Sequence, residues 1–342
     1  MIKINPINIS FNRYNTNFSG TIDHTTVKTG GKLISVNNYT SFFRDYETLE
    51  FTKKYLQKNF PDGIGIAEFG CSMGQKPYSL MIVLDDINQD RKYKMKAYDF
   101  PEVIDKAKSY LYKIDYLSEG EKLLLGEYNC VKSSKIGNVD KNRVKFYRDT
   151  FFNYFRKYRN HTVIDNPILN SQHLKWYDKA SDELIVQPND NGRKLVDFAS
   201  GDINDIDKIL KPKENGVVIF QNALYHILND GMDINIENEN ISNLADIDVL
   251  FNKINKTLSL KGLFILGSLP ADHLYNWYCE EKTHLKYQDN KQIRVYDSSP
   301  VHETLKKNGF EPVLYEPVQR STPFVRYKSV HLPSVWKKVR EL

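Results

Sequence analysis

The segment EFGCSMGQKPYSL at 68–80 holds the residues most able to do chemistry. Glu68 closes a short apolar run, Gly70 and Gly74 follow four residues apart, and Pro77 stands in the first turn of a predicted helix. Such a turn lets a ligand approach the backbone closely and meet free N–H groups at the helix start. The spacing matches neither the GxGxxG of dinucleotide binders nor a P-loop. We therefore predict a nucleotide-like cofactor without a pyrophosphate or triphosphate.

Two further acids follow predicted strands. Asp99 ends KAYDF, and Asp202 follows VDFAS by way of a glycine. In a doubly wound sheet, a carboxylate that ends the second strand lies beside the first turn and can accept hydrogen bonds from ribose hydroxyls. Asp202 is placed to accept from an adenine amino group. Both acids have a structural alternative, because aspartate also caps helices: Asp99 before Pro101, and Asp202 before a helix at 204–210.

The elements that position these residues alternate along the chain. Five short apolar runs predict strands, at 64–69, 92–100, 194–200, 216–222 and 262–268. Helical patterns stand between them, and the strand sequences read as buried on both faces. This order is typical of a parallel sheet covered by helices on both sides. The sequence therefore predicts an α/β fold with a doubly wound, Rossmann-like, mostly parallel sheet.

A lead and two insertions complete the organisation. Residues 1–38 are rich in Asn, Thr, Ser and Gly without a sustained period, which predicts a poorly ordered lead or an edge arm. The main domain then spans 39–342. Residues from about 114 to 193 carry no strand pattern and are too many for a connecting loop, so we predict a small helical insertion. An acidic, Asn-rich stretch at about 230–248 predicts a surface excursion.

Composition excludes several classes of protein. The chain has 342 residues, 40% of them hydrophobic, and a net charge of +5 that no segment concentrates into a basic face, so nucleic acid is not an expected partner. Cys71, Cys130 and Cys279 are far apart and lack CxxC spacing, which indicates no disulfide framework or metal site and fits a reducing, cytoplasmic setting. No apolar run of about 18 residues occurs, so membrane insertion is not expected.

Six segments follow one another in the order of a known family: TSFFRD at 40–45, GCSMGQKPYSL at 70–80, KAYDFPEVIDKAKSYLY at 96–112, VDFASGDI at 196–203, VIFQNALYHI at 218–227 and LSLKGLFILGS at 258–268. Together they resemble the motifs of chemotaxis receptor methyltransferases of the CheR type. The first two segments are specific to that family rather than to the fold at large. The resemblance implies a seven-stranded class I methyltransferase sheet, S-adenosylmethionine as cofactor, and methylation of a protein glutamate, with a chemoreceptor as acceptor.

The resemblance also assigns roles to residues. The family's cofactor-binding positions fall on Thr40 and Arg44 beside the methyl donor, Asp99 at the ribose, Asp202 and Ile203 beside the adenine, and Gln221 and Asn222 at the pocket edge.

Several positions depart from the family pattern. Gln75 and Lys76 stand where two glutamates usually follow the second glycine, and we expect Glu68 to take over the contact with the methionine ammonium. Gln221 replaces the family's arginine. About 38 unpatterned residues precede the first motif, so we expect the family's basic receptor-docking domain to be missing or much shortened. We also expect a monomer.

The acceptor determines what the catalytic residues must do. A glutamate acceptor is already ionised, so Arg44 would orient it through a bidentate pair while Tyr225 or His226 hydrogen-bonds the acceptor oxygen. His226 aligns with the family's active-site tyrosine. For an amine or hydroxyl acceptor, on a small molecule or another protein, His226 becomes the candidate general base, although it could equally be structural at a helix start. A third alternative is a module that binds the cofactor without turnover.

Overall fold

A computed structural model describes residues 24–29, 32–37, 41–109, 111–114, 141–157, 184–221, 223–224, 244–267, 283–317 and 330–342. Its strands are β1 (His24–Thr29), β2 (Lys32–Asn37), β3 (Gly65–Phe69), β4 (Lys94–Asp99), β5 (Tyr112–Ile114), β6 (Phe155–Lys157), β7 (Leu184–Pro188), β8 (Val196–Ser200), β9 (Asn215–Ile219), β10 (Leu258–Ile265), β11 (His284–Gln288), β12 (Lys291–Val295), β13 (Phe310–Pro317) and β14 (Val330–Lys338).

The α-helices of the same ranges are α1 (Tyr46–Asn59), α2 (Gln75–Val83), α3 (Pro101–Ala107), α4 (Lys141–Tyr154), α5 (Asp190–Arg193), α6 (Ile206–Ile209), α7 (Leu244–Thr257) and α8 (Pro300–Lys307). Short 3₁₀ segments at Asp85–Ile87 and Ile203–Asp205 lie between them. None of these helices has both the length and the apolar run that a bilayer span requires.

Five parallel strands form the centre of the sheet in the order β8-β4-β3-β9-β10. β14 then pairs antiparallel with β10, and β13 pairs antiparallel with β14. All five residues of β9 are buried, as expected for a parallel strand covered on both faces. The five strands predicted from the sequence are β3, β4, β8, β9 and β10, so the doubly wound α/β fold is confirmed.

The sheet of the described residues has nine strands rather than seven, because a hairpin extends it. β11 and β12 pair antiparallel, and β12 pairs in parallel with the first residues of β14. It lies on the same edge of β14 whose later residues pair with β10. The hairpin turn is Asp289-Asn290, and both residues have positive φ, as two-residue hairpin turns require. Its side chains are mostly polar or exposed, so no buried apolar run marked it in the sequence.

Two buried clusters cover the two faces of the sheet. One cluster packs α1, α2 and α4 against one face and includes Ile66 and Ala97. The other packs α6, α7 and α8 against the opposite face and includes Ala67 and Tyr98. The alternation from Ile66 to Ala67 follows the two-residue period of a strand. Glu68 and Asp99 therefore share the face that α2 covers.

The structure differs from the sequence-based expectation at both ends of the helical insertion. Its described part contains the helix α4 and a three-stranded antiparallel sheet in which β7 lies between β5 and β6. β5 and β6 have three residues each, too few to show a period in the sequence.

Residues 1–38, read as an unpatterned lead or edge arm, contain the antiparallel pair of β1 and β2. Residues 244–248 of the predicted surface excursion begin α7.

Candidate functional site

The turn after β3 is tied to the end of β4. The backbone N–H groups of Gly70 and Cys71 both donate to the carbonyl oxygen of Tyr98, at 2.9 and 3.2 Å. β3 and β4 are parallel neighbours, so their carboxyl ends meet at one edge of the sheet. Ligands of doubly wound sheets bind at this edge. The structure thus brings the predicted Gly-containing turn next to Asp99.

Asp99 holds the turn in an unusual backbone conformation. Its Oδ2 accepts from the backbone N–H of Ser72 at 2.8 Å, and its Oδ1 accepts from the N–H of Phe100 at 2.8 Å. Ser72 has a φ of 53°, between Gly70 at 70° and Gly74 at 92°. Positive φ at a non-glycine residue costs free energy and concentrates at functional sites. Asp99 is 8% exposed, and no side chain caps α3, so its capping alternative is not what the structure shows.

Gly74 is required by sterics as well as by its backbone angle. A Cβ at this position would lie 2.5 Å from Cζ of Phe198, whose ring also packs against Tyr78. We expect Gly74→Ala to lower the free energy of unfolding by about 2–4 kcal/mol, from overpacking added to the left-handed backbone. Chemical denaturation without ligand measures this loss.

Gly70→Ala is the matched control for that substitution. Gly70 also has positive φ, but its added Cβ would meet Cβ of Ala223 at 3.4 Å and Cε2 of Phe220 at 3.9 Å, both ordinary contacts. It should lose about 1–2 kcal/mol from the backbone alone. Equal losses in the two variants would contradict the role given to the contact with Phe198.

Glu68 and Lys76 are two buried groups of opposite charge that do not hydrogen-bond to each other. Glu68 is 3% exposed and Lys76 is 8% exposed. Among the residues that the structure describes, neither Oε2 of Glu68 nor Nζ of Lys76 has a hydrogen-bond partner. Burial raises the pKa of Glu68 to about 7, with Lys76 opposing the shift, and burial lowers the pKa of Lys76. Buried polar groups are normally paired, so Oε2 of Glu68 and Nζ of Lys76 are candidate ligand contacts.

The raised pKa of Glu68 predicts that stability depends on pH. The folded chain favours the protonated carboxyl of Glu68. The contribution of Glu68 to the free energy of unfolding is therefore complete below pH 4.5, the usual pKa, and is lost as the pH rises to about 7. The full shift corresponds to about 3 kcal/mol. Glu68→Gln should therefore melt above the wild type at about pH 8, with the difference shrinking toward about pH 5.

Thermal melts of the ligand-free protein across this range test the pH prediction. Glu102→Gln, at an exposed position in α3, is the control and should follow the wild-type curve. A difference between Glu68→Gln and wild type that stays constant with pH would show that Glu68 does not titrate in the folded chain.

Arg44 lies in a strained loop whose neighbours are anchored in the core. Phe42 is fully buried, with its ring centroid 5.0 Å from that of Phe151 in α4. The backbone N–H of Phe43 donates to Oγ of Ser79 in α2 at 2.8 Å. Phe43 and Asp45 have φ values of 53° and 55°, whereas the Arg44 side chain between them keeps 28% of its surface exposed. The loop thus presents one cation at the site from a fixed backbone.

Gln221 joins this loop to the end of β9. Its Nε2 donates to Oδ2 of Asp45 at 2.5 Å, and Nε of Arg44 lies 3.8 Å from the same oxygen. Gly267 leaves room for the glutamine, since a Cβ there would come within 2.3 Å of Cγ of Gln221. Three segments that are distant in the sequence therefore meet here.

Asp202 and Ile203 lie at the end of β8, one strand beyond β4. Oδ1 of Asp202 accepts from the backbone N–H of Asn204 at 2.9 Å, which caps the following 3₁₀ turn. The capping alternative thus holds for Asp202. Ile203 is buried in the same cluster as Tyr98. The contact of Asp202 and Ile203 with adenine stays a prediction.

Four predicted site residues lie outside the described residues: Thr40, Asn222, Tyr225 and His226. Three residues that the sequence did not single out contribute to the site. Asp45 contacts Gln221, the backbone N–H of Ser72 binds Asp99, and Glu316 of β13 lies within electrostatic reach of the Lys76 ammonium. Asp45 directly follows the Thr-x-Phe-Phe-Arg motif, so only its position hinted at a role; nothing in the sequence marked Glu316.

Comparison with known protein families gives a match over part of the chain. Residues 38–165 match the CheR methyltransferase, SAM binding domain. No curated protein matches the chain.

Solved structures give distant likenesses. The chain is similar to the PH0226 protein from Pyrococcus horikoshii OT3, at 12% identity over 86% of this chain and 88% of that one, with a TM-score of 0.35. A SAM-dependent methyltransferase from Methanosarcina mazei gives 11% identity over 85% and 98%, with a TM-score of 0.38. The DszA carbon methyltransferase gives 12% identity over 87% and 55%, with a TM-score of 0.39. TM-scores this low carry no argument about the site.

A doubly wound sheet whose first turn matches a SAM-binding family defines the class: this is a class I S-adenosylmethionine-dependent methyltransferase. Within that class, residues 38–165 are similar to the CheR methyltransferase SAM binding domain, and S-adenosylmethionine is the cofactor. The resemblance, enzyme class and cofactor inferred from the sequence are thereby confirmed.

Proposed function

We propose that this methyltransferase acts on a carboxylate of a protein, the side chain of a glutamate, and that chemoreceptors are acceptors of the kind it recognises. The observation that carries the proposal is the placement of Arg44. This partly exposed arginine stands between two anchored residues of left-handed backbone, on the loop that Asp45 joins to Gln221. An arginine orients a carboxylate through two parallel hydrogen bonds.

The described residues fit the methyl donor. Oε2 of Glu68 is buried and without a partner in the described chain, so it can accept from the ammonium of the methionine part. Each carboxylate oxygen of Asp99 accepts one backbone hydrogen bond, from the N–H of Ser72 and of Phe100 respectively. Each oxygen keeps a further lone pair, which leaves room for ribose hydroxyls. Gly70 and Gly74 supply the positive φ angles that shape the turn beside the proposed ligand.

The proposed reaction asks for alignment more than for acid–base chemistry. S-adenosylmethionine supplies a methyl group on a positively charged sulfur. The acceptor's oxygen forms the new O–C bond while the C–S bond breaks, and the electron pair of the broken bond stays on sulfur. A glutamate carboxylate carries no proton to remove, so Arg44 need only hold it in line with the methyl group. Tyr225 or His226 then hydrogen-bonds the acceptor oxygen in this proposal.

A labelling experiment tests the type of acceptor. Full-length protein is incubated with methyl-labelled S-adenosylmethionine and either a native lysate or purified chemoreceptor cytoplasmic fragments. A carboxylate acceptor gives a methyl ester, so mild alkali should release the label from protein as volatile methanol. Arg44→Ala in the same assay should leave the protein unlabelled.

Three results would contradict the proposal. Label that stays on protein through alkali would indicate an amine or hydroxyl acceptor and favour His226 as a general base. Label found only in small molecules would exclude a protein acceptor. Tight binding of S-adenosylhomocysteine with no label transferred would indicate a module that binds the cofactor without turnover.

A further inference from the structure

We infer that Lys76 binds the carboxylate of the methionine part of the donor, opposite the ammonium that Glu68 binds. This assignment rests on the proposed placement of the donor at the turn after β3. It gives a role to the residue that departs most sharply, in charge, from the family's glutamate at this position.

The first observation is that Lys76 is buried without an acceptor. The side chain is 8% exposed, and in the described part of the chain nothing accepts a hydrogen bond from its Nζ. Burying an ammonium without a partner is costly, so such groups are retained where a ligand completes them. A paired lysine elsewhere shows the contrast: Lys53 is 7% exposed, but its Nζ donates to Oδ2 of Asp86 at 2.7 Å.

The second observation is that none of the nearby acids in the described chain pairs with Lys76. The charged groups that act on Lys76 are Glu68 of β3, Arg44 and Asp45 of the loop before α1, and Glu316 of β13. Asp45 accepts from Gln221, and Oε1 of Glu316 accepts from the hydroxyl of Thr48, whereas the buried Oε2 of Glu316 has no partner in the described chain. Glu68 and Glu316 each keep an unpartnered oxygen, yet neither hydrogen-bonds to Nζ of Lys76, so in the described chain this ammonium has no anion in contact with it.

The third observation is the position of Lys76 in α2. It is the second residue of a nine-residue helix whose N-cap, Gly74, offers no side chain to the first N–H groups. The first N–H groups of a helix lack partners within the helix, and the helix dipole favours an anion there. The backbone and the side chain therefore favour negative charge at the same end of α2.

The amino-acid part of S-adenosylmethionine matches this arrangement. It carries one ammonium and one carboxylate on the same carbon, and the site offers one unpaired acid and one unpaired base on β3 and α2. Binding then pairs both buried charges at once. A ligand that lacks only the carboxylate would leave Lys76 unpaired and bring a second cation near it.

A comparison of two ligands isolates this contact. Calorimetric titrations measure the affinity for S-adenosylhomocysteine and for its decarboxylated analogue, S-adenosyl-3-thiopropylamine. We expect the wild type to prefer S-adenosylhomocysteine by about 10–100-fold. Lys76→Met should reduce this preference to within about threefold, mostly by weakening S-adenosylhomocysteine binding, whereas Lys76→Arg should retain most of it.

Two controls make the result specific. Lys53→Met removes the buried lysine that is already paired and should leave the ligand preference unchanged. Without ligand, Lys76→Met should melt above the wild type because it removes an unpaired buried charge, which also shows that the variant is folded.

The outcomes separate this inference from the function on which it rests. An unchanged preference in Lys76→Met overturns the inference while the donor site stands. An unchanged preference together with a loss of methyl transfer would place Lys76 at the acceptor instead. Failure of both ligands to bind the wild type would overturn the donor site and this inference together.

Discussion

Replacing Arg44 with alanine is expected to lower the rate of methyl transfer by about 100-fold or more, the usual cost of removing a charged group that stabilises and aligns a reacting oxygen. The affinity for S-adenosylhomocysteine should change by less than about threefold, since the residues proposed to hold the donor are Glu68, Lys76 and Asp99. Single-turnover rates and calorimetric affinities measured on the same preparations give both quantities.

Arg143→Ala is a matched control for Arg44→Ala. Arg143 in α4 is also partly exposed and also pairs with an acid, Glu50 at 2.6 Å, but it lies on the insertion rather than on the Arg44 loop. It should leave transfer unchanged. If Arg44→Ala weakens transfer and ligand affinity by equal factors, Arg44 supports the cofactor and does not orient the acceptor.

Replacing Asp99 with alanine is expected to weaken S-adenosylhomocysteine binding by about 1–3 kcal/mol, or about 5–150-fold. Two effects contribute, because the variant loses the proposed acceptor of the ribose hydroxyls and also leaves the N–H of Ser72 without its partner. Asp197→Ala, an exposed acid on β8, is the control and should bind like the wild type.

A second ligand separates the two effects of Asp99→Ala. The 2′-deoxy analogue of S-adenosylhomocysteine lacks one ribose hydroxyl, so it should bind the wild type more weakly than the full ligand. In Asp99→Ala the two ligands should bind alike if the carboxylate contacts that hydroxyl. An unchanged affinity of Asp99→Ala for the full ligand would remove Asp99 from the donor site.

The sequence predicted the part of the site that depends only on the order of neighbouring strands along the chain. Glu68, Gly70, Gly74 and Asp99 lie at the ends of consecutive parallel strands, and the right-handed connection between such strands places them side by side. Gly70 and Gly74 both have the positive φ that glycine permits. The contacts made by Thr40, Asn222, Tyr225 and His226 stay predictions.

The parts that the sequence did not predict depend on contacts between distant segments. Glu316 lies on a strand near the end of the chain, and only the sheet order brings it close to Lys76. The contact of Asp45 with Gln221 joins segments 176 residues apart. Lys76 read as a simple departure from a family pattern, because its lack of a partner is visible only once the helix is packed. Pairings of this kind leave no period or motif in the sequence.

Hydrogen exchange followed by mass spectrometry, with and without saturating S-adenosylhomocysteine, tests most directly that the turn after β3 binds the cofactor. We expect the ligand to slow amide exchange in peptides that span 69–80 and 94–101, and to leave the β11–β12 hairpin at 284–295 unchanged. Calorimetry on the same sample establishes saturation. Slower exchange elsewhere, with 69–80 unaffected at saturation, would contradict the account.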